Sequence, residues 1–229
     1  VSRVGVIFDM DGVLVDSYRA HYESWCRLAA SQGRSISLAE FDGTFGRTSR
    51  EVIASLWPDV AADARQVAEW DRRKEALFRE ILAASFPAMP GAVRLVRQLR
   101  EAGVPVALGS SGPPENVALV LDRLGIRPLL AAVVNGADVR RGKPDPEVFL
   151  LAALRLGIPP QRCVVVEDAP AGIEAAHRAG MAAVGVLSTG RRRYQLAKAE
   201  RLVTSLEELS PQHVAELVDR RWNHWAAKP

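Results

Sequence analysis

Val4-Gly-Val-Ile-Phe-Asp-Met-Asp-Gly-Val-Leu-Val-Asp-Ser17 opens with a short apolar run, Val4 to Phe8, that ends in Asp9-Met-Asp11-Gly12. The run is rich in Val and Ile and shows no polar alternation, which is the pattern of a strand buried on both faces. Similar runs follow at Val104-Pro-Val-Ala-Leu108, Ala132-Val-Val134, Cys163-Val-Val-Val166 and Ala183-Val-Gly-Val-Leu187. Between them, apolar residues recur at three- and four-residue steps. In 91–103 the series is Val93, Leu95, Val96, Leu99 and Ala102, and 115–124, 146–156 and 171–179 read likewise, each closed by a glycine. Strand and helix therefore alternate from residue 91 to 187, which predicts an α/β fold with a parallel sheet wrapped by helices.

The rhythm fails between residues 16 and 86, where only amphipathic helical text appears, as in 20–30 and 67–82. A helical insertion after the first strand is the simplest reading. Phe86-Pro-Ala-Met-Pro-Gly91 returns the chain to the sheet, since two prolines and a glycine prevent helix continuation. The expected organisation is a core of residues 1–15 and 87–229 with an all-helical cap domain of 16–86.

The 229 residues, 48% hydrophobic and 25% charged, have ordinary globular composition, which excludes disorder and collagen-like structure. No apolar stretch approaches the roughly 18 residues of a membrane span, and Asp9 cuts the first run too short for a signal-peptide core. The expectation is a cytoplasmic protein with no membrane partner. Cys26 and Cys163 lack disulfide or metal-site spacing and are expected to be buried apolar thiols. A net charge of +3 is too small to imply nucleic acid, and Arg191-Arg-Arg193, without interleaved aromatics, reads as a surface loop.

Ligands of an open parallel sheet bind beyond the carboxyl ends of its strands. Those ends carry Asp9 and Asp11, then Ser110, then the approach to Gly142-Lys143-Pro144, then Glu167-Asp168. Several carboxylates gathered in one crevice repel unless a cation joins them, and an all-oxygen donor set without His or Cys suits Mg²⁺. Lys143 and Ser110 supply the charge and hydrogen bonds that phosphate oxygens need, so phosphoryl transfer is the expected chemistry. One aspartate can attack phosphorus while its neighbour serves as general acid and then general base. Asp and Gly are also ordinary turn residues, Ser110 suits a helix N-cap, and Glu167-Asp168 suits the first turn of a helix. Only the co-occurrence of all four groups favours a site.

Asp9-Met-Asp-Gly-Val-Leu-Val-Asp-Ser17, Ser110, Gly142-Lys-Pro-Asp-Pro146 and Glu167-Asp-Ala-Pro-Ala-Gly-Ile173 together resemble the four motifs of the haloacid dehalogenase-like superfamily, in order and spacing, across essentially the whole chain. The helical insert resembles that of the helical-cap subfamily, which includes β-phosphoglucomutase and many sugar-phosphate and phosphoglycolate phosphatases. The resemblance implies a Rossmann-like core, Asp9 as nucleophile, and Asp11 as acid/base and donor of a backbone carbonyl to Mg²⁺. It implies that Glu167 and Asp168 complete the metal site with Asp9, and that Ser110 and Lys143 hold the transferring group. Dehalogenases of the superfamily lack the second aspartate, so Asp11 argues for phosphate chemistry.

The implied activity is Mg²⁺-dependent hydrolysis of a small phosphorylated metabolite. A phosphomutase is the rival, because His21, Arg50 and Lys74 correspond to cap residues that contact the far end of substrate in the mutase. Arg50 and Lys74 nonetheless sit in charge-rich text typical of solvated faces. Ser111-Gly-Pro-Pro114 and the segment 188–199 resemble the phosphatases more, which favours the hydrolase. A non-enzymatic phosphoacceptor module, also built from acidic, hydroxyl and lysine groups at sheet ends, is the remote third alternative. No nucleic acid is expected as a partner, both monomer and homodimer stay open, and Trp222 and Trp225 receive no function.

Overall fold

In the computed structural model of the chain, residues 4–226 are described, with side chains described through residue 220. The sequence runs become β1 (Gly5–Phe8), β2 (Val106–Gly109), β3 (Ala132–Val134), β4 (Cys163–Glu167) and β5 (Ala182–Val186). A sixth strand, β6 (Arg201–Val203), was not legible, being three residues long with a charged first residue. The strands form one sheet in the order β3-β2-β1-β4-β5-β6, with every pairing parallel.

This order explains where a site can form. From β1 the chain builds outward through β2 and β3, then returns to the opposite side of β1 to lay down β4, β5 and β6. The connections on the two sides run to opposite faces, so a crevice opens at the carboxyl ends of β1 and β4. Register brings those ends level, with Phe8 opposite Val166 and the Asp9 amide donating to the Val166 carbonyl at 2.9 Å.

Five helices follow β1: α1 (Tyr18–Ser31), α2 (Leu38–Thr44), α3 (Ser49–Leu56), α4 (Pro58–Ala61) and α5 (Ala64–Ala84). Then come α6 (Ala92–Glu101), α7 (Pro114–Leu124), α8 (Glu147–Leu156), α9 (Pro170–Arg178) and α10 (Pro211–Ala226). The short helices α2 and α3 begin with reciprocal capping boxes, Ser37 with Glu40 and Thr48 with Glu51, which satisfy backbone donors that helix geometry leaves unpaired. Among the described residues no helix is long and apolar enough to cross a membrane.

The chain divides into two compact units, Val1–Asp16 with Ala88–Pro229, and Ser17–Pro87. In the first, Ile7, Ala107, Val134 and Val165 pack with Phe149 and Ala152 of α8 and Ile173 and Ala176 of α9. The second has its own core, in which Trp25, Leu28, Phe41, Ile53, Trp57, Val67 and Trp70 meet. The cysteine expectation holds for Cys163, which is buried, but Cys26 is half-buried on the helical unit. Trp222 and Trp225 have side chains outside the described residues.

Candidate active site

The turn after β1 folds tightly on itself. Met10 is buried, its carbonyl accepts the Leu14 amide at 2.8 Å, and the Gly12 amide donates to Val15 O at 2.8 Å. Gly12 has φ +70, and a Cβ there would lie 2.2 Å from Asp168 Oδ2. A side chain would therefore meet both backbone strain and the carboxylate that closes in from β4. The turn lets Asp9 and Asp168 share one space.

Lys143 arrives on the loop before α8. Its ammonium donates to Asp9 Oδ1 at 2.7 Å and to Glu167 Oε1 at 2.6 Å, while Nζ lies 4.7 Å from the centre of the buried Phe149 ring. The lysine thus joins the ends of the two strands that flank the switch point. Glu167, 0% exposed, also accepts the Ala169 amide on Oε2 at 2.6 Å, so both carboxylate oxygens are held. Gly172, one turn into α9, makes room for it, since a Cβ there would fall 1.8 Å from Glu167 Oε1.

Asp9, Glu167 and Asp168 are all buried and present carboxylate oxygens within 4.8 Å of one another. Burial pushes the Asp9 carboxyl well up from its ordinary range, and the charges of Glu167 and Asp11 push the same way against the pull of Lys143. Burial also raises Asp168 to about 6, with Glu167 adding to the rise and Arg191 opposing it. For Lys143, burial would lower the pKa, but Asp9 and Glu167 outweigh it and hold the amine firmly protonated. Three carboxylates are thus crowded into a space where burial disfavours their ionised forms. The donors are all oxygen, so the residues fit a hard divalent cation. Asp11 is half-buried in the turn that follows, outside this three-carboxylate group.

Ser110 lies one residue past β2 and is buried, with its amide donating to Val134 O at 3.0 Å. Its hydroxyl accepts the Gly112 amide at 3.0 Å. It is not the N-cap of α7, which begins at Pro114. A Cβ on Gly112 would stand 3.3 Å from Met10 Cε, which puts the Ser110 turn against the turn that carries Asp9 and Asp11.

Two contributors were missed in the sequence. Ser188 Oγ donates to Asp168 Oδ2 at 2.8 Å and Arg191 Nε donates to the same oxygen at 3.3 Å. Arg191 was expected in a surface loop with Arg192 and Arg193. Those two are exposed, but the Arg191 side chain is only 6% exposed because it turns inward to a buried carboxylate. The available signal was position, because the loop follows the strand next to β4 at the same sheet edge.

In the helical unit, His21 and Lys74 are brought together and Arg50 is exposed on α3. Lys74 departs from the expected solvated face, being 3% exposed. Its ammonium lies 2.8 Å from His21 Nδ1, donates to Glu75 at 2.8 Å, and sits 5.2 Å from the Phe78 ring, on which His21 stacks. Helical spacing turned this one member of Arg72-Arg73-Lys74 inward, where the aromatic faces and Glu75 compensate its desolvation.

The strand order and the buried carboxylate and lysine groups at the switch point define a doubly wound α/β enzyme. The chain belongs to the haloacid dehalogenase-like hydrolases, whose family model matches residues 4–180. It is 35% identical over 215 residues to validoxylamine A 7'-phosphate phosphatase of Streptomyces hygroscopicus subsp. limoneus, covering 91% of this chain and 96% of that one. It is 33% identical over 187 residues to β-phosphoglucomutase of Bacillus subtilis (strain 168), covering 79% and 82%. The crystal structure of β-phosphoglucomutase from Clostridium difficile superposes with a TM-score of 0.83 at 25% identity, covering 99% of this chain and all of that one. Membership in an enzyme family sets aside the non-enzymatic phosphoacceptor module.

Proposed function

We propose that the chain is a Mg²⁺-dependent phosphohydrolase of a small phosphorylated metabolite, a phosphomonoester of the sugar-phosphate class, working through a phosphoaspartate on Asp9. The observation that carries this reading is Lys143 bridging Asp9 and Glu167 inside the buried three-carboxylate cluster. The named phosphatase and phosphomutase relatives support the phosphate chemistry.

Asp9, Glu167 and Asp168, with the backbone carbonyl of Asp11, would hold the cation, whose chemistry is to offset charge on phosphoryl oxygens. Asp9 attacks phosphorus through a carboxylate oxygen as the bond to the leaving oxygen breaks. Lys143 orients that carboxylate and draws negative charge from the transferring group, and Ser110 donates a hydrogen bond to it. Asp11 enters protonated and gives its proton to the departing oxygen. It then takes a proton from the water that attacks phosphorus, which releases phosphate and restores Asp9.

The test is phosphate release from a panel of phosphorylated metabolites with Mg²⁺, run beside Asp9→Asn. The amide is no nucleophile, so turnover should fall at least ~10³-fold. Substantial activity in the variant would remove Asp9 from its role.

The second reading is a phosphomutase, favoured by the His21 and Lys74 pairing. In either reading His21, Arg50 and Lys74 are proposed as leaving-group contacts. Supplying β-glucose 1-phosphate with a trace of the matching bisphosphate separates the two. Free phosphate selects the hydrolase, and glucose 6-phosphate selects the mutase.

A further inference from the structure

A carboxylate ligand whose orientation is fixed before the cation arrives binds it at lower cost in ordering. Glu167 is fixed by Lys143 on one oxygen and the Ala169 amide on the other. Asp168 is fixed differently, from a single short loop beyond β5. Within Ser188-Thr189-Gly190-Arg191, the first and last residues both donate to Asp168 Oδ2. The loop is a closed turn, with the Arg191 amide donating to Ser188 O at 3.1 Å and Gly190 at φ +79. Thr189 at its tip donates to Asp16 Oδ2 at 2.6 Å, which ties the turn to the segment leaving the Asp9 loop.

Two features set this apart from a surface ion pair. The side chains of Arg191 and Asp168 are 6% and 5% exposed, so a guanidinium has been desolvated to reach this carboxylate. Both donors also converge on the same oxygen, which fixes the plane of the carboxylate and commits one of its two atoms. Charge points the same way. The three carboxylates Asp9, Glu167 and Asp168 outnumber the two cations that contact them, Lys143 and Arg191.

We infer that Ser188 and Arg191 are positioning residues that clamp Asp168 in the orientation required for divalent-cation binding. The clamp rests on the Mg²⁺ reading proposed above, and it adds residues whose contacts are to the ligand Asp168. Arg191 acts through Asp168, and Ser188 shares the same oxygen. Partners of this kind set metal affinity by about 10- to 100-fold.

Isothermal titration of Mg²⁺ into EDTA-stripped protein tests the clamp without any turnover. Wild type, Ser188→Ala, Arg191→Gln and Arg191→Lys are compared, with far-UV circular dichroism to confirm that each is folded. Ser188→Ala and Arg191→Gln should each weaken Mg²⁺ by about 10- to 100-fold, and Arg191→Lys should recover part of the loss. Ser188→Ala alters no charge, so its loss reports orientation alone. Equal affinity in all four proteins overturns the clamp. So does tighter binding by Arg191→Gln, which would make the guanidinium only a repelling neighbour. A wild type that binds no Mg²⁺ while folded fails at the earlier step and overturns the cation reading itself.

Discussion

Removing the Lys143 ammonium would leave Asp9 and Glu167 facing each other in a buried space, with both contacts of 2.7 and 2.6 Å lost. Breaking a buried pair in this way costs about 3–5 kcal/mol. Lys143→Met should therefore lose stability of that order in urea titrations carried out in EDTA at pH 8. The loss should shrink toward pH 5. Burial first, then Glu167 and Asp11, raise the Asp9 carboxyl, and the variant lacks the lysine that opposed them. A carboxyl with a raised folded pKa stabilises at low pH and loses that contribution as pH rises through its folded value. A deficit equal at both pH values would show that Asp9 is not the strained group. Residue identity announced this part of the site, because acid, hydroxyl and lysine are the groups phosphate chemistry requires. Arg191 was not announced, since three arginines in a row carry no mark of which one turns inward.

At the scale of elements, α9 is laid against β4 closely enough that one methyl group matters. Gly172→Ala would place Cβ 1.8 Å from Glu167 Oε1 and 2.0 Å from its Cδ. Glu167 is buried and bonded at both oxygens, so it cannot swing away without breaking the Lys143 and Ala169 contacts. Crowding of this kind costs about 1–3 kcal/mol, and displaced Glu167 should take most phosphatase activity with it. A Gly172→Ala protein with native melting temperature and native turnover would contradict the packing described. The other end of β4 offers a chemical probe. Burial pushes the Cys163 thiol up to about 12 from an ordinary 9. The folded protein thus holds one more proton than the unfolded chain between those values, and stability declines as pH rises through the window. At pH 8 the native Cys163 should resist alkylation and react only on unfolding, which mass spectrometry with and without urea will show. Elements themselves were legible wherever burial left a mark on neighbouring residues, as a continuous apolar run in β1 and β4 and as a three- and four-residue period in α6. The strand β6 escaped notice because Arg201-Leu-Val203 begins with a charge and is only part-buried, whereas the equally short edge strand β3 is apolar throughout.

Across the whole molecule, two cores stand behind two compact units. Three of the five tryptophans, Trp25, Trp57 and Trp70, belong to the core of the helical unit. Tryptophan emission in a Trp222→Phe, Trp225→Phe background should therefore follow the unfolding of that unit, while far-UV circular dichroism reports both. Non-coincident urea transitions are expected, and a coincident pair at every pH would show one cooperative block. The sequence by itself determined the alternation of buried strand and helix, the helical interruption after the first strand, and the four polar groups at strand ends. Each of these is a local pattern, written by burial on neighbouring residues. Tertiary structure alone decided that Lys143 bridges Asp9 and Glu167, that Ser188 and Arg191 share one oxygen of Asp168, and that Lys74 is buried beside His21. Those contacts join residues far apart in the chain, and strand register and side-chain rotation, which bring them within hydrogen-bond reach, leave no periodic trace in the order of amino acids.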